Sequence, residues 1–258
     1  MSLGTLYFYS EVLHSSQKVN IILPEPRTVE NMPMEDMEVL YLLHGAQGSA
    51  HSWVSSSSVE RYLYESGRNM AVIVPTMKTN FYTDHKIGDQ YFTYVSKELP
   101  KIVESYLHIS PKRENTYVAG LSMGGYGAIK VALSNPERFT MAAAFSGAVG
   151  DSVTNIVKRA EAQTERIPIQ FIFGTSEEFI NSENDTNYLL EKCVAEGKPL
   201  PKLYISCGSA DSLYDANVAF AKKAKDLGYD VKFHMEKAMG HAWSFWDAEV
   251  EKLLRTLI

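Results

Sequence analysis

Residues 115–133 read NTYVAGLSMGGYGAIKVAL, and this stretch decides the fold class and the chemistry to look for. Its first part, NTYVAG, is a short β-branched and apolar run of the kind that forms a buried strand. Its last part, GGYGAIKVAL, carries the small and apolar residues of a helix packed closely on a sheet. Between them Gly120-Leu121-Ser122-Met123-Gly124 spells GxSxG. At a tight strand-to-helix turn this spacing holds the serine in a strained backbone conformation, and the flanking glycines relieve clashes that side chains would cause there. A bare GxSxG arises often by chance; here it stands in the context that the motif requires.

Working outward, similar runs begin at Lys18 (KVNIILP), Glu38 (EVLYLLHG), Met70 (MAVIVP), Met141 (MAAAFSG), Lys202 (KLYISCG) and Val231 (VKFHME). Helical patterns begin at Tyr91 (YFTYVSKELPKIVESYL), Tyr214 (YDANVAFAKKAKDLG) and Trp243 (WSFWDAEVEKLLRTLI). Strands that alternate with helices, and that are apolar throughout, predict an α/β fold: a mostly parallel sheet with helices on both faces. No repeat, linker or charge run divides the chain, so residues 1–258 read as one domain. Residues 150–201 are an insertion-sized stretch, with the ambiguous IQFIFG inside it, and read as a small cap over a pocket or as packing helices at the sheet edge.

The 258 residues include 25 Lys+Arg against 31 Asp+Glu, a net charge of −6. That balance attracts neither nucleic acid nor an anionic membrane surface. Two cysteines, Cys193 and Cys207, are too few for a disulfide framework. The start of the sequence lacks a secretory pattern and no apolar run is long enough to span a bilayer, so the expectation is a cytoplasmic protein with no stable membrane association.

A serine hydroxyl needs a base and an orienting acid to act as a nucleophile at neutral pH. Of the seven histidines, His241 follows the last strand in KAMGHAWSFW, on a Gly-containing loop before the final helix. The acid should lie between Ser122 and His241 in the chain. Asp211, in CGSADSLYD just past the strand KLYISCG, fits by position. Asp215 competes, although the following NVAF suggests a capping acid in the first helical turn. A tetrahedral oxyanion needs two backbone N–H donors. Met123 supplies one, and the loop after EVLYLL supplies the other, with Ala46 leading and Gln47 second. His44 there reads as a loop anchor held by side-chain hydrogen bonds.

LLHGAQGSAHSW, DQYFTYVSKELP, GLSMGGYGA, CGSADSLYDAN and GHAWSFWD, in this order over most of the chain, resemble the esterase D or S-formylglutathione hydrolase-like branch of the α/β-hydrolases, and within it the streptococcal-type tributyrin esterases most. The resemblance implies serine carboxylesterase activity on a small-molecule ester, a triad of Ser122, Asp211 and His241, oxyanion amides at Ala46 and Met123, and no metal or organic cofactor. True S-formylglutathione hydrolases carry a cysteine-containing segment after the oxyanion glycine and a GHG elbow helix, where this chain has AQGSAHSW and GYGA. Those departures weigh against glutathione thioester specificity; thioester hydrolysis or acyl transfer by the same residues is the alternative. Trp243, two residues from His241, and Trp53 are the candidates to line the substrate pocket, with packing and loop anchoring as their other reading. The polar cap region and these tryptophans lead to an expected preference for short acyl chains. A homo-oligomer is compatible with the sequence, which contains no proof of one.

Overall fold

Strands form where β-branched and aromatic residues concentrate, and the computed structural model, which describes residues 1–25, 37–162 and 169–256, places eight of them in one sheet. They are β1 (Ser2–Ser10), β2 (Ser15–Leu23), β3 (Glu38–Leu43), β4 (Met70–Pro75), β5 (Thr116–Leu121), β6 (Met141–Phe145), β7 (Lys202–Gly208) and β8 (Val231–Glu236). Helices alternate with them: α1 (Ser52–Ser56), α2 (Val59–Ser66), α3 (Tyr91–Thr93), which runs through a π-helical turn at Tyr94–Glu98 into α4 (Leu99–Leu107), and α5 (Met123–Ser134). The remainder are α6 (Asp151–Ala162), α7 (Ile169–Phe173), α8 (Ser176–Phe179), α9 (Thr186–Ala195), α10 (Tyr214–Asp226) and α11 (Trp243–Thr256).

The strand order is β1-β2-β4-β3-β5-β6-β7-β8. β1 and β2 are antiparallel to their neighbours, and every pairing from β4 to β8 is parallel. Alternate residues of each strand enter different cores. Val39, Tyr41 and Leu43 join α4, α5, α9 and α10 on one face. Leu40 and Leu42 join α1, α2 and α11 on the other. Both faces of β3 to β7 are therefore covered, which is why those strands are apolar without alternation. This is the α/β-hydrolase arrangement that the resemblance implied.

β3 is followed by β4 on one side and β5 on the other, so the chain reverses direction across the sheet beside β3. A crevice opens beyond the carboxyl ends of strands at such a switch point. The close approach that shapes it rests on Gly124. A Cβ there would stand 2.5 Å from Leu43 O and 2.6 Å from His44 O, both backbone atoms, so only glycine lets α5 start against the end of β3.

Two features go beyond the sequence reading. β1 was not anticipated, because its alternation of Thr5, Tyr7 and Tyr9 outward with Leu6 and Phe8 inward covers only one face. It is held through the π turn, where Glu98 accepts from Ser10 Oγ and from the amides of Glu11 and Val12. IQFIF forms a helical turn, α7, whose Phe173 packs edge-on against Phe81 and Tyr126. Of the expected cap at 150–201, residues 163–168 lie outside the described residues. No helix among the described residues is long and apolar enough to cross a membrane.

Gly124→Ala is expected to cost about 1–3 kcal/mol by overpacking, or roughly 2–12 °C in Tm for a chain of this size. A thermal unfolding midpoint unchanged from the wild type would mean that the two strand-end carbonyls can give way.

Candidate active site

Ser122 sits at φ 53 and ψ −119 at the N-terminus of α5, a backbone region that a non-glycine residue enters only under constraint. The constraint is visible: Ser122 N donates to Phe145 O at 2.9 Å, while Ser122 O accepts from Ala148 N at 3.1 Å and Tyr126 N at 3.2 Å. The Ser122 hydroxyl donates to His241 Nε2 at 3.0 Å, and His241 Nδ1–H donates to Asp211 Oδ2 at 2.7 Å. An ionised carboxylate can only accept, so the imidazole proton belongs on Nδ1 and the Nε2 lone pair faces the serine.

These three side chains come from the loops after β5, β7 and β8. The last two loops are strapped together, Ala210 N donating to Met239 O and Ala238 N to Ser209 Oγ, each at 2.9 Å. Gly208 permits the strap, since a Cβ there would meet Met239 O at 2.2 Å. The Asp211 side chain is fully buried. Burial pushes its carboxyl up, but hydrogen bonds from His241, the Leu213 amide and the Ser146 hydroxyl outweigh that and hold it below the ordinary carboxylate range. Ser146 is itself buried at φ 46, pinned by its amide to Ser206 O at 2.7 Å. Asp215 lies in the first turn of α10 and faces Asn155 and Arg159 of α6 across a separate cavity.

Beside the serine, a Cβ on Gly45 would stand 3.4 Å from Ser122 Cβ, so the loop after β3 passes directly against it. The Gln47 amide is already engaged, donating to Thr79 Oγ1 at 3.0 Å. Among the described residues, the Ala46 and Met123 amides donate to no protein acceptor. They are thus free to receive negative charge on a substrate oxygen. A cleft of about 430 Å³ opens here, bounded by the loop 45–48, by Leu121 and Ser122, and by His241, Trp243 and Trp246. Among the described residues, neither Lys nor Arg lines it. Among the described residues no group of three His, Cys, Asp or Glu side chains is arranged to hold a metal ion.

The tryptophans are placed differently from the sequence reading. Trp243 does border the cleft, but Trp53 does not: it is fully buried, with Nε1 donating to Leu43 O at 3.0 Å and its ring edge-on to Trp243 at 5.2 Å. A buried indole N–H usually finds an acceptor, and the strand-end carbonyl holds that of Trp53 one layer behind the wall. Trp246, buried in the core under α11, borders the cleft as well and meets the His241 ring edge-on at 4.9 Å. No described residue of 150–201 lines the cleft; Tyr126 OH donates to Asn184 O at 2.7 Å, tying that segment to the flank of α5. Thr79 and Ser146 had no motif to announce them, since their roles depend on partners distant in the chain.

A family model described as "Putative esterase" matches residues 10–255. An acetyl esterase of Caldicellulosiruptor saccharolyticus is 30% identical over 254 residues, covering 96% of this chain and 94% of that protein. Among solved structures, FphF, a fluorophosphonate-binding serine hydrolase of Staphylococcus aureus in a substrate-bound form, superimposes with a TM-score of 0.87 at 29% identity, covering 98% of this chain and 96% of its own. The S-formylglutathione hydrolase FrmB of the same organism has a TM-score of 0.82 at 28% identity, covering 98% and 97%.

The depressed Asp211 carboxyl stabilises the folded state above its unfolded pKa of about 4, and that contribution is lost as the pH falls through the lower folded value. Ser146→Ala removes one of its donors and raises the folded value toward the unfolded one. The variant is expected to be less stable than the wild type at pH 7 by about 1.5–3 kcal/mol, the gap closing as the pH falls below about 4. Urea denaturation at several pH values measures this, and a gap independent of pH would remove the link to the carboxylate.

Proposed function

We propose short-chain ester hydrolysis as the activity of this protein, on the premise that the chain belongs to the esterase family of α/β-hydrolases and is a serine hydrolase of carboxylic esters. The observation that carries the proposal is the hydrogen-bonded chain from Ser122 through His241 to Asp211. In this reading residues 1–258 act as one catalytic domain, in the cytoplasm, where unpaired cysteines such as the buried Cys193 and Cys207 persist.

Ser122 Oγ attacks the acyl carbon while His241 Nε2 takes its proton, and the carbonyl electrons move onto oxygen, where the Ala46 and Met123 amides receive them. Asp211 holds the imidazole in the required tautomer and offsets its charge. Collapse of the tetrahedral species breaks the bond to the alcohol, which leaves with the proton from His241. Water then attacks the acyl-serine by the same route, giving the carboxylic acid and free Ser122. Ser122→Ala is expected to lower turnover by about a million-fold, and Asp211→Asn by about 10⁴-fold. Asp215→Asn should leave it within a few-fold of the wild type. Activity surviving Ser122→Ala, or lost in Asp215→Asn but not in Asp211→Asn, would refute these assignments.

The substrate reading, short acyl chains of the tributyrin type, is supported by the wall of the cleft. Trp243 is held edge-on by Trp53 at 5.2 Å and by Trp246 at 5.4 Å, so it cannot swing away without displacing buried rings. Acyl carbons that cannot enter forgo about 0.8 kcal/mol per methylene. The S-formylglutathione reading draws on one of the structural relatives, but a cleft without Lys or Arg in its lining favours neutral esters over a tripeptide that bears carboxylates. kcat/KM across p-nitrophenyl esters should peak between acetyl and butyryl; a peak at octanoyl or longer contradicts the short wall. S-formylglutathione turning over faster than any ester would select the thioester reading instead.

A further inference from the structure

At the end of β3, His44 is fully buried, and both its ring nitrogens are engaged. Nε2 accepts from the Met77 amide at 2.9 Å. Because that nitrogen accepts, the proton of the neutral ring must sit on Nδ1, which lies 2.6 Å from Gly45 O and donates to it. The same oxygen accepts from Gly48 N at 3.2 Å. Gly45 O belongs to the peptide unit whose N–H is that of Ala46. A peptide is planar and trans, so its C=O and N–H point in opposite directions, and clamping one aims the other. Two donors on the oxygen also polarise the unit and strengthen its N–H as a donor.

We propose that His44 is a positioning residue for the oxyanion: it fixes the Gly45–Ala46 peptide so that the Ala46 N–H is aimed at the charge that develops beside Ser122. The proposal rests on the reading of Ala46 as an oxyanion donor. The surroundings lock the ring in place. Tyr82 OH donates to His44 O at 2.8 Å, fixing the preceding peptide. The chain closes over the imidazole at Gly48, where a Cβ would stand 2.7 Å from His44 Nδ1. Burial pushes the imidazole below its ordinary range, only partly offset by its backbone partners. That keeps it in the one protonation state whose pattern fits, since an imidazolium would set Nε2–H against the Met77 N–H.

Two substitutions separate aiming from anchoring. His44→Asn retains a donor where Nδ1 stood but no longer reaches the Met77 amide. His44→Gln retains an acceptor near the Nε2 position but no donor for Gly45 O. Each is assayed with p-nitrophenyl acetate for kcat and KM, and with a trifluoromethyl ketone, whose serine adduct carries the tetrahedral oxyanion. His44→Gln is expected to lose about 10- to 100-fold in kcat and, by the same factor, in ketone affinity, with KM within about threefold. His44→Asn should stay within about fivefold of the wild type on both. Tyr82→Phe, which keeps the core volume, gives a well-folded third arm in which kcat and ketone affinity fall together several-fold. His44→Gln or Tyr82→Phe binding the ketone as tightly as the wild type overturns the proposal. So does an equal loss in His44→Asn and His44→Gln that follows their melting temperatures. A wild type that turns over no ester overturns the esterase reading together with the proposal, whereas a fully active wild type with an indifferent His44→Gln overturns the proposal alone.

Discussion

The contact between the first turn of α5 and the last residues of β3 is the constraint on which the site depends. Gly124 lies so close to the Leu43 and His44 carbonyls that a methyl group would overlap both. Because the helix begins there, the turn before it has no slack, and Ser122 is forced to positive φ. Strain of this kind costs on the order of 1–3 kcal/mol and persists only when the surroundings over-determine it. Here the surroundings are the three backbone hydrogen bonds of Ser122 and the two cores that clamp the sheet between them. The same contact brings the loop after β3 alongside the serine, so one close approach sets both the serine and the amides beside it.

Electrostatics in the cleft are local. The overall charge of −6 has little bearing on a site whose one buried carboxylate, Asp211, is matched by donors from His241, Leu213 and Ser146. Those donors do two things at once: they keep the carboxylate ionised despite burial, and they fix the oxygen that receives His241 Nδ1–H. Trp246, edge-on to the imidazole at 4.9 Å, limits the ring from another side. The histidine therefore has few orientations open to it before any substrate arrives, which is the sense in which such a site is preorganised.

Much of this was legible in the sequence because it is local. Glycine spacing around Ser122 and the placing of His241 and Asp211 just past strands are properties of short windows, and seven of the eight strands announced themselves as apolar runs. The features that escaped are those decided by distant partners. β1 is half exposed and packs through a glutamate some ninety residues away in the chain. Trp53 sits one layer behind the wall because the Leu43 carbonyl offers its indole an acceptor, and Trp246, packed in the core under α11, also borders the cleft. Sequence proximity to the oxyanion loop could not reveal that competition. The choice between Ala46 and Gln47 was open for the same reason, since it turns on Thr79, across a crossover connection.

That choice shows how such a site is specified. Each N–H in the loop after β3 is a competent donor by itself, and what distinguishes them is whether the fold has already used them. Of the two amides that the sequence leaves open, Gln47 N is spent on Thr79 Oγ1 and Ala46 N is left over. Selection by subtraction has a consequence for relatives that share GxSxG and the acid and base: a change at a position outside the cleft lining, such as the half-buried 79 or the buried 82, can free the wrong amide, or tilt the right one, with every reacting side chain in place. Intact motifs alone therefore say less about rate than the hydrogen-bond inventory of the loop does, because a donor displaced by a fraction of an ångström still binds the ground-state carbonyl while missing the oxyanion.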